Sequence, residues 1–318
     1  MTARRTLLLG LGALALLGAG HAHGAFREAR RQSDSRLFGQ GSVIETRAGA
    51  LEYAVAGEGP ALMMIHGTGG GFDQGLLFAA ALRRRGFRIV APSRFGYLGS
   101  AFPDDASPAR QADALVDLLD HLGIDSLPVV GGSAGALTAA EFALRHPERC
   151  THLGLLVPAA NLTDRDPVEF GPVQRMLVGA VLGSDGAFWA MTRLAPGQMT
   201  RTLLATDPTL LSRVSAEERL RARTILDQIF PITRKIDGLR NDGFWAGSPS
   251  RTDYPHIAVP TLILSCEDDL FGTAETARLL ASRIPGAELT VFPDGGHIWL
   301  SHDVEIADRI AGFVRGAG

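Results

Sequence analysis

The chain has 318 residues, of which 46% are hydrophobic and 20% charged, a length and composition that suit one large α/β domain with an insertion or two small domains. Its formal net charge of -3, with no basic patch interleaved with aromatics, excludes a nucleic-acid partner. Two cysteines, Cys150 and Cys266, are too few for a disulfide framework, and no Cys/His cluster has metal-ligand spacing, so no metal is expected.

The first 26 residues differ in kind from the rest. Arg4 and Arg5 precede an uncharged apolar run, Leu7 to Gly20, and then small residues in a small-x-small arrangement ending at Ala22. This pattern is a targeting segment, to be kept apart from the fold. The run is shorter than the roughly 20 residues a membrane span needs, which leaves two readings of residues 1–26: a cleaved signal, or an anchor giving membrane association through residues 6–26. Arg4 and Arg5 followed by Thr6-Leu7-Leu8 resemble a twin-arginine export signal. Arg27, Arg30, Arg31 and Arg36 pull the other way, because positive charge after a span favours the cytoplasmic side. The expectation is export, periplasmic or secreted, or anchoring by this segment.

A polar linker is predicted over residues 27–41, followed by an antiparallel hairpin of Val43 to Thr46 and Leu51 to Val55 at a sheet edge. Apolar strands are then predicted at Ala61–Ile65, Arg88–Ala91, Leu127–Val130, His152–Val157, Thr261–Ser265 and Glu288–Phe292. Helices are predicted between them at Gln74–Arg85, Pro108–Leu122, Ala134–Arg145, Thr273–Arg283 and Val304–Arg315. Repeated strand-helix-strand units mean an α/β fold with a mostly parallel sheet covered by helices on both faces. Between Pro158 and Pro255 the alternation breaks. Helical patterns occur around Val173–Leu182, Ala187–Leu194, Met199–Leu204 and Glu217–Phe230, without a clear strand. A structureless loop of that length is foreign to a compact domain, so residues 161–251 read as an inserted helical cap on a core of residues 42–160 and 252–318.

Gly131-Gly132-Ser133-Ala134-Gly135 fits G-x-S-x-G, a weak pattern in a chain with 38 glycines. Its context is what counts: a buried β-branched strand runs into the serine and an Ala- and Leu-rich helix leaves it, as a strained nucleophile turn requires. Three further stretches join it. His66-Gly67-Thr68-Gly69-Gly70-Gly71 follows a buried strand, Asp268 and Asp269 end another, and His297 ends the last. The glycine run lacks G-x-x-x-x-G-K-[ST] and any lysine, which excludes a phosphate cradle, and no cofactor is expected.

In chain order Ser, Asp, His, each at a strand's carboxyl end, the sequence from about Gly41 onward resembles the α/β-hydrolase superfamily with a helical cap. "APSRFGYLGS", Ala91 to Ser100, resembles that family's loop after the strand preceding the nucleophile strand. The resemblance implies Ser133 as nucleophile, His297 as base, and an oxyanion hole from the backbone N–H groups of Thr68 and Ala134. It places the acid three residues after a glycine at a strand end; Cys266 stands in that glycine's position, and the count gives Asp269. Asp268 and Asp164 remain competitors. Gly67, Tyr97 and Trp299 lie beside these loops and are candidates for contacting substrate. The expected activity is hydrolysis of a carboxylic ester or lactone of a small apolar compound. Amide or iminopeptide hydrolysis, carbon–carbon bond hydrolysis and perhydrolysis would use the same machinery. A ligand-binding receptor on a hydrolase scaffold is the alternative from another class.

Overall fold

The computed structural model describes residues 2–163, 176 and 179–316, with side chains from residue 20 onward. The chain divides into two units, Met1–Phe38 and Gly39–Gly318. The first is helix α1, Thr2–Leu37. The segment expected as a polar linker from Arg27 is thus helical to Leu37. No glycine or proline interrupts it after Gly24, and Gln32 Nε2 donates to Glu28 one turn earlier at 3.1 Å. The targeting segment expected over residues 1–26 falls mostly on side chains outside the described residues. No helix among the described residues is long and apolar enough to cross a membrane.

The second unit is built on an eight-stranded sheet. Its strands are β1 Ser42–Thr46, β2 Gly49–Ala56, β3 Ala61–Ile65, β4 Arg88–Pro92, β5 Leu127–Gly132, β6 Cys150–Leu156, β7 Thr261–Cys266 and β8 Glu288–Phe292. The spatial order is β1-β2-β4-β3-β5-β6-β7-β8. The β1–β2 hairpin joins β4 antiparallel, and all remaining pairings are parallel. Because β3 pairs with β4 on one side and β5 on the other, the chain reverses its direction of travel across the sheet there. That reversal opens a crevice at the carboxyl ends of β3 and β5.

Consecutive glycines at the end of β5 show the two covered faces. A Cβ on Gly131 would meet α5 (Gly135–Arg145), whereas one on Gly132 would meet Phe78 of α2 (Phe72–Phe78). With α5 lie α4 (Pro108–Leu122) and α10 (Thr273–Arg283), whose Leu115, Leu119, Ala277 and Leu280 share one core cluster with Val129, Leu153 and Ile263. Local signals fix α4: Ser107 accepts from Arg110 N–H, Pro108 opens the helix, and Gly123 closes it at φ 63°. The short α3 (Ala80–Arg84) and the last helix α11 (Asp303–Arg315) pack together. The expected single helix Gln74–Arg85 is in fact α2 and α3, divided at Ala79.

Between β6 and β7 the described insertion is helical: α6 Asp185–Leu194, α7 Pro196–Leu203, α8 Ala216–Gln228 and α9 Ile236–Gly247. Ser215 caps α8, its side chain accepting from Glu218 N–H at 3.1 Å. The two ends of the insertion meet where Asn161 bridges Pro249 and its carbonyl accepts from Ser250 N–H at 2.8 Å. The helix predicted at Val173–Leu182 lies half outside the described residues, and its described residues, 176 and 179–182, are helical; Asp164 lies outside them. Helix α9, absent from the sequence reading, carries Asp242 to the loops beside the serine turn.

Candidate active site

Ser133 sits on the turn between β5 and α5 with φ 52°, in the left-handed region where a side chain is strained. Its N–H donates to Leu156 O at 2.9 Å, and its carbonyl accepts from Ala136 and Ala159. Strand, turn and helix are packed so tightly that a Cβ on Gly131 would lie 2.5 Å from Gly135 O. One on Gly135 would lie 2.5 Å from both Ile65 O and His66 O. The two outer glycines of G-x-S-x-G are therefore steric requirements of the turn.

His297, in the loop after β8, reaches this serine: Nε2 lies 2.8 Å from Ser133 Oγ, and Nδ1 lies 2.7 Å from Asp269 Oδ2. A proton on Nδ1 donates to the carboxylate, which leaves Nε2 as the acceptor for the Ser133 hydroxyl. Asp269 is 5% exposed and His297 8%, so the pair is sheltered from water. The Asp269 carboxylate accepts two further hydrogen bonds, Oδ1 from Phe271 N–H at 2.9 Å and Oδ2 from the Thr273 hydroxyl. Cys266 ends β7, and its carbonyl accepts from Asp269 N–H at 3.3 Å, so the count of three from Cys266 describes a real turn. Burial, reinforced by the nearby Asp268 and Asp269, pushes the Cys266 thiol far up, and it remains an uncharged packing residue.

Asp268 points elsewhere. Its Oδ1 accepts from Gly296 N–H at 2.8 Å, bracing the backbone just before His297. The cap braces the same loops: Thr206 Oγ1 accepts from His297 N–H at 3.0 Å, and Ala205 O accepts from Leu270 N–H at 3.0 Å. Phe271 stands edge-to-face against the His297 ring at 4.9 Å while remaining 52% exposed, next to the exposed Leu270.

The loop after β3 lies beside the serine, with a Cβ placed on Gly67 coming 3.1 Å from Ser133 Cβ. Its backbone donors are mostly engaged: Gly67 N–H to Gln74 Oε1, Gly69 N–H to Tyr97 Oη, and Gly70 N–H to Gly67 O. Among the described residues, the N–H groups of Thr68 and Ala134 are given to no protein acceptor. His66 organises the loop from within. Its Nε2 accepts from Arg94 N–H at 2.9 Å, which puts the proton on Nδ1, and Nδ1 donates to Gly67 O at 2.7 Å. Full burial, with Arg94 adding to it, holds the His66 pKa well below the usual histidine value and keeps the ring neutral.

The two aromatic candidates are both buried. Tyr97 donates to Asp242 Oδ2 at 2.6 Å while accepting from Gly69; burial and the Asp242 carboxylate push its pKa well up, so it stays a phenol. Trp299 packs edge-on against Phe78 and under the Arg221 guanidinium. Four residues that sequence reasoning did not single out take part: Thr206, Lys235, Asp242 and Arg94. Arg94 donates to both carboxylate oxygens of Asp242 in a buried pair, at 2.5 and 2.7 Å. No sequence pattern announces such a pair, because its members lie 148 positions apart. Among the described residues, no group of three or more His, Cys, Asp or Glu could hold a metal ion.

A parallel sheet with a serine turn at its reversal, answered by a histidine and an aspartate from later strand ends, defines a hydrolase-type scaffold. Residues 60–301 match the family model of the α/β-hydrolase fold, and the chain belongs to that family. It is 30% identical to a 2-hydroxymuconate semialdehyde hydrolase of Pseudomonas putida, over 81% of this chain and 86% of that one. Solved structures sharing the fold include an α/β-hydrolase-fold protein from Nakamurella multipartita, with 24% identity, a TM-score of 0.70, and 87% of this chain and 100% of that one covered. The enol-lactonase of Burkholderia xenovorans LB400 shares 20% identity at a TM-score of 0.64, covering 86% of this chain and 100% of its own.

Proposed function

We propose that this protein is a serine hydrolase acting on a carboxylic ester or lactone of a small apolar compound. The observation that carries the reading is the continuous hydrogen-bonded line from Ser133 Oγ through His297 to Asp269. Ser133 Oγ attacks the carbonyl carbon as its proton passes to His297 Nε2, and the oxygen that becomes negative is received by the N–H groups of Thr68 and Ala134. Collapse of the tetrahedral adduct expels the alkoxide, which takes the proton from His297, and leaves an acyl ester on Ser133. Water, deprotonated by the same nitrogen, then releases the acid. Asp269 keeps the ring in the required tautomer and stabilises its cationic form. Backbone donors fixed before the reaction are worth on the order of 3 kcal/mol each in such a site.

Two features support an uncharged, apolar substrate. Phe271 and Leu270 present apolar surface beside His297. The buried guanidinium groups nearby, Arg94 and Arg221, are already paired with carboxylates, Asp242 for the first and Asp303 with Glu218 for the second. The lactone half of the proposal, expected from the sequence, agrees with the name of the Burkholderia xenovorans structure. Carbon–carbon bond hydrolysis on the same serine is the second reading, favoured by the Pseudomonas putida relative's name. Export directed by residues 1–26 completes the proposal, on the strength of Arg4-Arg5 and the apolar run after them.

Fluorophosphonate labelling with and without Ser133→Ala, together with a panel of nitrophenyl esters of graded acyl length, tests the reading. Labelling confined to the wild-type protein and turnover that peaks at short or medium acyl chains are expected. A protein that labels equally well without Ser133 overturns it, and labelling without turnover of any ester redirects it to the carbon–carbon bond.

A further inference from the structure

Two side chains close on a single glycine of the loop after β3. Gly69 donates its N–H to Tyr97 Oη at 3.2 Å, and its carbonyl accepts from Lys235 Nζ at 3.1 Å. Each holder is anchored on the cap side. Tyr97 donates to Asp242 Oδ2 of α9, and Lys235, immediately before α9, also donates to Gln228 O at 2.5 Å. Tyr97 and Lys235 are both fully buried, Asp242 is 3% exposed, and Asp242 is itself locked by Arg94. The approach is close: a Cβ on Gly96 would lie 2.5 Å from Gly238 N of α9.

A peptide unit is planar, so holding one of its polar groups orients the whole unit. The Gly67–Thr68 unit, which carries the Thr68 N–H, is held through Gly67 O by His66 Nδ1. The Thr68–Gly69 unit is held through Gly69 N–H by Tyr97, and the unit after it through Gly69 O by Lys235. With the planes on both sides of Thr68 fixed, its φ and ψ are fixed as well, and so is the direction of its N–H.

We propose that Tyr97 and Lys235 are positioning residues of the reaction, acting through Gly69 to aim the Thr68 N–H at the developing oxyanion. The proposal rests on the reading of Ser133 as nucleophile and Thr68 N–H as oxyanion donor. A donor aimed by rigid neighbours acts in the transition state and not on the bound ester, so its misalignment lowers kcat and leaves KM nearly alone.

The test is to compare Tyr97→Phe and Lys235→Met with wild type and with Ser133→Ala. The readouts are kcat and KM per fluorophosphonate-titrated site on the best nitrophenyl ester, and inhibition by an aryl boronic acid, whose tetrahedral adduct mimics the oxyanion. Each variant is expected to lose about 10- to 100-fold in kcat with KM changed less than about threefold, and the boronate Ki is expected to weaken in step with kcat/KM. A purely structural role would reduce the number of titrated sites or the Tm while leaving kcat per site and the boronate Ki unchanged, and that result overturns the proposal. If Lys235→Met does not fold, Tyr97→Phe, which keeps the ring, decides alone. Full activity in Ser133→Ala overturns the nucleophile reading and this proposal with it, whereas a dead Ser133→Ala beside an unimpaired Tyr97→Phe overturns this proposal only.

Discussion

Asp268 and Asp269 are neighbours in sequence, and their carboxylates serve two consecutive residues of one short loop in different ways: Asp269 Oδ2 meets the His297 ring at 2.7 Å, and Asp268 Oδ1 takes the Gly296 N–H at 2.8 Å. One touches the imidazole and the other only the backbone that carries it. Asp269→Asn replaces an acceptor with an amide that favours the wrong histidine tautomer, a change that costs about 10⁴ in kcat in a comparable triad. Asp268→Asn keeps an oxygen to accept from Gly296 and is expected to stay within about tenfold of wild type. Steady-state kinetics at equal folded fraction decides; an active Asp269→Asn would remove this residue from the chemistry.

The glycine after the serine turn gives a stability prediction. Gly135→Ala sets a methyl 2.5 Å from two backbone oxygens of β3 and its following loop, neither of which is a side chain that can swing aside. The expected loss is about 3 kcal/mol or more, at the upper end for overpacking. Gly132→Ala, whose methyl would meet only Phe78 at 3.4 Å, is expected to cost far less. Urea denaturation of the two variants checks the contrast, and equal midpoints would contradict the packing described for the turn.

His66 gives the pH dependence of stability a definite sign. Burial and Arg94 hold its folded pKa well below the usual value, while in the unfolded chain a histidine titrates near 6.5. Below about pH 6.5 the unfolded state therefore binds a proton that the folded state refuses. The contribution is complete above that pH and is lost as pH falls, at up to about 1.4 kcal/mol per pH unit. Glu52, whose pKa burial raises, tilts the curve the other way and is common to wild type and variant. His66→Asn should be less stable at neutral pH and show a shallower decline between pH 6.5 and 5 in urea unfolding. Parallel curves would mean that the ring is not held neutral.

Much of this architecture is legible in the sequence because its central strands, β3, β4, β5 and β7, are buried on both faces and read as largely apolar runs. Helices Pro108–Leu122 and Thr273–Arg283 match their predicted limits because capping and chain-breaking residues mark them. The G-x-S-x-G turn is legible for the same local reason. Helix α9 is not: Gly238 and Gly243 weaken its propensity, and its inward face carries the polar Asp242 in place of an apolar stripe. Tyr97 could be placed near the site from its loop, but its partner Asp242 and the Lys235 opposite it come together only through the fold. The count of three from Cys266 already gives Asp269 over Asp268; what Asp268 does instead, taking the Gly296 N–H, is visible only in the fold.

Removing residues 1–26 is expected to leave a soluble protein that hydrolyses esters within about threefold of full length, because every residue of the site lies in the unit Gly39–Gly318. Ester turnover by the truncated and full-length chains, measured per labelled serine, checks this. A folded truncation without turnover would assign the N-terminal segment a part in the chemistry.

The cap is secured at points that matter for protein engineering. Ala205 and Thr206 hold the loops that carry Asp269 and His297, Lys235 holds the loop after β3 directly, and Asp242 holds it through Tyr97. Caps are attractive parts to exchange between relatives when a new substrate range is sought. In this chain, a transplant cut cleanly at Asn161 and Pro249 would remove all four of those attachments. A chimera here has to import the foreign surface while retaining the native roots.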